Sequence, residues 1–236
     1  MLRLALPLLA ATLALAPCAQ AQDDSSQLDE IVVTGTRISD EDLALMPAVT
    51  LTRRADFLAL SVTLENDTRE AEARRREVHE TLRNLVADAA KQGMSMAHGD
   101  EFLIPVTAAN HQLPLGTGSR SDTSRVSLYL KRPLGATDNV AAEIARLEKF
   151  VDNARVVGRT VVEADDDIAL SVVNPERYRF EIVPLIAADA RKLQAAIGPG
   201  CRVNLTGLAS RVSWERTDEA ELTLYLPYKV EITDCQ

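Results

Sequence analysis

Apolar residues recur along this chain with two different periods, and the changes of period mark its elements. Leu58, Leu60, Val62 and Leu64 alternate with Ala59, Ser61, Thr63 and Glu65, the two-residue period of a half-buried strand. Val78, Leu82, Leu85, Val86 and Ala89 then recur at helical spacing and predict a helix over 69–92. Asp67 with Glu70 forms a capping-box pattern ahead of it, and Gly93 stands where such a helix stops. Strands are predicted at 101–109 and 123–131, the second from the alternation of Val126, Leu128 and Leu130. Between them Gly116-Thr117-Gly118-Ser119 reads as a flexible connection, since no lysine follows the glycines and no helix opens from them as a phosphate-binding loop requires. Val140, Ile144, Leu147 and Val151 predict a second helix, and a strand-rich stretch runs from Val156 to Val173.

Asn174-Pro175-Glu176 reads as N-cap, first-turn proline and first-turn acid of a third helix. That helix would bury Ile182, Leu185, Ile186, Leu193 and Ile197 and end at Gly198-Pro199-Gly200. Pro184 removes a helical hydrogen bond, so a short strand over 178–183 stands as the alternative. The C-terminal pattern is one long β-hairpin. Val203 and Leu205 lie on one arm, Leu222, Leu224, Leu226, Tyr228, Val230 and Ile232 on the other, with the turn near Thr217-Asp218-Glu219. A hairpin centred on Asp218 sets Cys201 opposite Cys235, which predicts a disulfide between them. The mixture defines an α+β fold: an antiparallel or mixed sheet packed by two to three helices.

The first residues have a different logic. Arg3 precedes an apolar run from Leu4 to Ala16, and Ala19-Gln20-Ala21 supplies the small-x-small site of a signal peptidase, so residues 1–21 read as a secretory signal peptide. Cys18 makes a lipoprotein the rival reading, but Pro17 occupies the place where lipoprotein processing favours a small flexible residue. Removing 21 of the 236 residues leaves 215, enough for one large domain or two small ones. The formal charge then moves from −9 to −10 as Arg3 is lost, which argues against nucleic acid and anionic lipid as partners. No other stretch is long and apolar enough to cross a membrane as a helix. Cys201 and Cys235 are then an even pair in an oxidising compartment, the periplasm. Residues 22–50 read as a flexible tether carrying one strand-like run, Ile31 to Thr36, with the folded domain over 51–236.

No catalytic, cofactor or metal residue emerges. Met94, Met96 and His98 could face one side of a strand as soft copper ligands, but core methionines are commoner. Glu163, Asp165, Asp166 and Asp167 lack the spacing and glycine of a calcium loop and read as a solvated turn. His79, His98 and His111 show no ligand spacing, there is no G-x-S-x-G elbow, and neither remaining cysteine has a nucleophile's setting. The cluster Arg74-Arg75-Arg76 is interleaved with Glu77 and Glu80 and reads as a solvated helix face.

Two family resemblances point in different directions. Asp29-Glu30-Ile31-Val32-Val33-Thr34-Gly35-Thr36-Arg37-Ile38 resembles the TonB box of TonB-dependent outer-membrane receptors, and Pro47-Ala48-Val49-Thr50 resembles the start of a receptor plug. A receptor barrel of about 22 strands at about 10 residues each needs about 220 residues before any plug, so the chain is too short to be one. From about Ala55 to Ile232 the chain is similar to the SIMPL domain family of bacterial envelope proteins. The residues that carry this are Ala55-Asp56, Ala90-Lys91-Gln92-Gly93, Asn174-Pro175-Glu176 and Ala188-Asp189-Ala190-Arg191-Lys192-Leu193. The SIMPL resemblance implies a periplasmic or outer-membrane-associated α+β protein that often forms oligomers and is linked in some members to oxidative-stress defence. It also implies that Ile31 to Thr36 is the first strand of the sheet rather than part of a tether. The expected function is a non-catalytic binding or assembly module with protein partners, either further copies of itself or other envelope proteins. The alternative is a TonB-engaging accessory protein in which Glu30, Ile31, Val32, Val33, Thr34 and Gly35 add a strand to a partner's sheet. An enzyme of unrecognised type stands third.

Overall fold

The computed structural model describes residues 30–33 and 46–235, apart from 101 and 199. The signal peptide, the remainder of the TonB-box-like run including Thr34 and Gly35, and Pro199 lie outside the described residues. The strands in chain order are β1 Glu30–Val33, β2 Leu51–Arg54, β3 Phe57–Asn66, β4 Ser95–His98, β5 Ile104–Val106, β6 Gly116–Thr117, β7 Ser124–Pro133, β8 Thr160–Val173, β9 Arg202–Thr206, β10 Ser213–Arg216, β11 Glu221–Tyr225 and β12 Lys229–Thr233. Three helices accompany them: α1 Ala71–Lys91, α2 Val140–Asp152 and α3 Arg179–Ile197. The α+β class with an antiparallel sheet and three helices is as the periodicity predicts. The main sheet has the order β1-β8-β3-β7-β4-β5, with β6 paired to β7, and every described pairing is antiparallel. Two small sheets, β10-β11-β2 and β12-β9, complete the chain.

Alternation in β3 decides the layering. Leu58, Leu60, Val62 and Leu64 are fully buried on one face, against Val78, Leu82, Leu85 and Ala89 of α1 and Leu147 and Phe150 of α2. Each such leucine contributes about 1.5–3 kcal/mol relative to an exposed position, so this face is the main source of stability. The acidic run belongs to β8 and is not a turn. Leu60 pairs with Ile168 and Val62 with Ala164, so residues 165–167 oppose Ser61 alone in a bulge of the ladder.

Several local expectations are corrected. The N-cap of α1 is Glu70, whose carboxylate accepts from the Glu72 and Ala73 amides. Asp67 instead accepts from the Arg159 Nε at 2.6 Å. The helix face taken as solvated is partly docked: Arg74 donates to Ser124 Oγ and to the Thr68 carbonyl, and Glu77 is a hub described below. The strand expected at 101–109 shrinks to β5, because Thr107–Asn110 closes a turn in which the Asn110 side chain accepts from the Thr107 amide. Gly116-Thr117 is a short strand on β7, and Ser119 donates to Glu65 from both its amide and its hydroxyl, so this connection is pinned.

The third helical segment starts as a 3₁₀ turn, Pro175–Tyr178, and continues into α3 with Pro184 inside it. No strand forms over 178–183. Asn174 has φ 49° and makes no side-chain cap, so it is a left-handed turn residue and not the expected N-cap. Of the apolar residues expected to be buried, Ile182 and Ile186 are, whereas Leu193 is half-buried and Leu185 and Ile197 are exposed.

The single long C-terminal hairpin is replaced by two ladders in different sheets. β10 pairs with β11, around a turn in which the Thr217 and Asp218 amides donate to the Glu221 carbonyl, and β9 pairs with β12. Pro227, which cannot donate to a ladder, and Gly207 at φ 85° mark the break. A Cβ on Gly207 would lie 2.5 Å from the Pro227 carbonyl oxygen, so only glycine permits this crossing. Cys201 and Cys235 are disulfide-bonded next to the Arg202–Thr233 pair, with Cα atoms 4.1 Å apart. The register needed for the bridge is thus supplied by the outer ladder alone.

Cys201→Ser with Cys235→Ser should lower the melting temperature without abolishing the fold. The bridge closes a 34-residue separation at the edge of the molecule, for which chain-entropy estimates give about 3–4 kcal/mol; thermal unfolding of parent and variant under oxidising conditions checks it. Glu77 accepts from Asn66 Nδ2, Thr68 Oγ and the Arg159 amide, and these bonds hold its carboxyl below its ordinary value of 4.5. A depressed folded pKa stabilises above the unfolded value and loses that stabilisation as pH falls through the folded one. Glu77→Gln should therefore flatten the acid limb of the stability curve, and an unchanged limb in pH-dependent urea unfolding would refute the assignment.

Candidate functional site: a buried latch and a basic cleft

β1 is held on both sides. Its residues pair with β8 from Glu30↔Val173 to Val33↔Leu170, while on the other side the Leu103 amide donates to the Glu30 carbonyl at 2.9 Å and Ile31 bridges Phe102. The sheet thus curls until its first strand meets the link between β4 and β5. Ile31 and Val33 join the helix-side core, and Val32 joins a second, smaller core with Ala59, Ala97, Leu103 and Ala169, against which Tyr129 packs. Small residues on this inner face let the curled strands approach closely.

A charge pair sits on the same inner face. The Lys131 ammonium contacts the Glu30 carboxylate, the Ser171 hydroxyl donates to that carboxylate, and the ammonium lies 4.0 Å from the centroid of the Phe57 ring. Lys131 and Ser171 are 4% and 0% exposed. Removing one partner of such a pair strands a charge out of water, at about 3–5 kcal/mol, whereas replacing both by apolar groups is often neutral. The pair therefore specifies which segment occupies the slot rather than adding much net stability.

The second feature is a cleft of about 840 Å³ between the end of α1 and the end of α2. Leu85, Met94 and Phe150 form its apolar floor, and Lys91, Arg132, Arg146, Lys149 and Arg155 line it with positive charge. Asp88 is shared by Arg155 Nε at 2.5 Å and Lys91 Nζ at 2.8 Å, and these donors hold its carboxyl below the ordinary value. Glu143 is shared by Arg132 Nε at 2.7 Å and Arg146 at 2.5 Å.

Of the residues singled out from sequence, Glu30, Ile31, Val32 and Val33 come together in the strand slot, and Cys201 with Cys235 in the bridge. Met94 and Met96 are buried in the main core. His79 Nε2 and His111 Nδ1 hydrogen-bond the carbonyls of Leu113 and Ala108, and among the described residues no group of His, Cys, Asp and Glu could hold a metal ion. Lys131 and the cleft cations escaped sequence reasoning. Lys131 occupies an outward position in the β7 alternation, and only the curl of the sheet covers it. No family model, curated protein or solved structure matches this chain.

Replacing Lys131 by Met, or Glu30 by Leu, should each destabilise the protein by about 3–5 kcal/mol. The double variant Glu30→Leu with Lys131→Met should recover most of that loss. Urea unfolding of the four proteins of this cycle measures the coupling, and simple additivity would show that the two groups do not act as a pair.

Proposed function

We propose that the chain is a non-catalytic binding and assembly module of the bacterial envelope, of the SIMPL-like kind, which assembles by strand addition through residues 30–33. The observation that supports this reading is the position of Glu30–Val33, a short strand far in sequence from its partners that completes the sheet between β8 and residues 102–103. Such a slot holds a strand by backbone hydrogen bonds and selects it by side chains at alternate positions. Here Ile31 and Val33 meet an apolar core, and Glu30 meets Lys131 and Ser171. The same segment of a second copy satisfies these requirements, and exchange of an identical element is a low-cost route to oligomers. The Cys201–Cys235 bridge fits an oxidising compartment reached by export.

A second reading is supported by the same strand. Glu30–Val33, the part of the TonB-box-like run within the described residues, has the extended conformation that adding to a TonB sheet needs, so β1 would leave its slot when TonB engages.

One pair of substitutions tests both readings. Val32 and Ser171 are cross-strand neighbours, so Val32→Cys with Ser171→Cys places two thiols across the β1/β8 pairing. Strand exchange predicts disulfide-linked dimers on non-reducing gels, increasing with protein concentration. Crosslinks confined to monomers at every concentration would overturn assembly by this route. TonB engagement predicts that purified TonB C-terminal domain captures the parent and not the intramolecularly crosslinked form, and equal capture of both would exclude it.

A further inference from the structure

We infer that the cleft between the ends of α1 and α2 is a binding site for a small amphipathic oxyanion, whose charged head rests on Arg146, Lys149 and Arg155 and whose apolar body rests on Leu85, Met94 and Phe150. The charge count is the first argument. Five cations, Lys91, Arg132, Arg146, Lys149 and Arg155, line the cleft or its back wall, against two carboxylates, Asp88 and Glu143, that serve them in pairs, which leaves an excess of three positive charges. Both helices end here, at Gln92 and Asn153, and each helix C-terminus offers about half a negative charge, so about two positive charges remain uncompensated. This concentration stands out in a chain whose formal charge is −9.

The second argument is the state of the cations. Arg132 is fixed, its Nε on Glu143 and its second nitrogen donating to the Gln92 carbonyl. Arg146 and Arg155 have side chains 57% and 58% exposed, and Lys149 has no ion-pair partner among the described residues. The Arg155–Asp88 pair lies near the surface and is worth about 0–1 kcal/mol, so that guanidinium can turn toward an incoming anion at little cost, while Arg146 keeps its bond to the buried Glu143 and offers its remaining donors. Two arginines with planar donor forks match the paired oxygens of a carboxylate or phosphate. The third argument is the floor, since buried apolar side chains beneath a ring of charge suit a ligand with one anionic end. The inference is independent of strand addition, because the cleft shares no residue with the β1 slot.

Isothermal titration of the intact protein with decyl phosphate, decanoate, decanol and inorganic phosphate tests it. Decyl phosphate or decanoate should bind, and whichever binds tighter identifies the head group. Decanol and inorganic phosphate should each bind at least about tenfold more weakly, a difference of about 1.4 kcal/mol. Lys149→Ala with Arg155→Ala should weaken binding by about tenfold at low salt, change the melting temperature little because Asp88 keeps Lys91, and lose most of its effect in about 1 M sodium chloride, where charges are screened beyond about 3 Å. Equal binding by parent and double variant, or binding of decanol as tight as that of decanoate, would overturn the site. So would binding of phosphatidylglycerol vesicles without binding of decyl phosphate, since that pattern marks a membrane surface rather than a cleft.

Discussion

The molecule is organised around the need to cover both faces of β3. One face carries Leu58, Leu60, Val62 and Leu64 and is met by α1 and α2, an ordinary sheet-and-helix core. The other carries Phe57 and Ala59 beside Lys131 of β7, and among the described residues no helix side chain joins the small core there. The sheet covers it by curling on itself, and β1 closes the curl with the Glu30 carboxylate that pairs with Lys131. A lysine on a sheet face this close-packed has no water to go to, so the curl and the Glu30 contact must form together.

That dependence ties a segment near the N-terminus to strands more than a hundred residues away. A four-residue strand cannot hold itself in place by its own backbone bonds. Its register comes from the alternation Glu30, Ile31, Val32, Val33, in which a one-residue slip would put the carboxylate into the leucine core. The strand slot is therefore selective in the way a recognition site is, and this is why its geometry supports assembly by strand addition. The bulge at residues 165–167 belongs to the same solution, since an extra stretch on one strand bends β8 and adds to the twist of the sheet there.

The rest of the chain is attached more loosely. α3 buries only Ile182 and Ile186, and no residue of the β9/β12 ladder is fully buried, so the disulfide secures a corner with little core of its own. The basic cleft lies on the helix layer, away from that corner, and its cations converge only because α1 and α2 end side by side.

The sequence by itself determined the α+β class and the positions of β3, β7, α1 and α2, because each follows from local periodicity; it also paired Cys201 with Cys235, but through a single hairpin that does not form, the bridge being set by the β9/β12 ladder. It read Ile31 as part of a tether, the first-strand reading coming only from the SIMPL resemblance, whereas Glu30–Val33 pair with β8; four strand-forming residues look the same paired or free. It misplaced the α1 cap on Asp67 because a distant residue, Arg159, claims that carboxylate and leaves the cap to Glu70. It read one hairpin where two ladders form, since alternation continues through Leu226 and Tyr228 regardless of which sheet each residue joins. Only the tertiary structure decided that Lys131 is buried, that Glu30 is its partner, and that Arg132, Arg146, Lys149 and Arg155 share one cleft. In each case the deciding quantity is the local dielectric or the proximity of groups far apart in sequence, and neither has a signature in local periodicity.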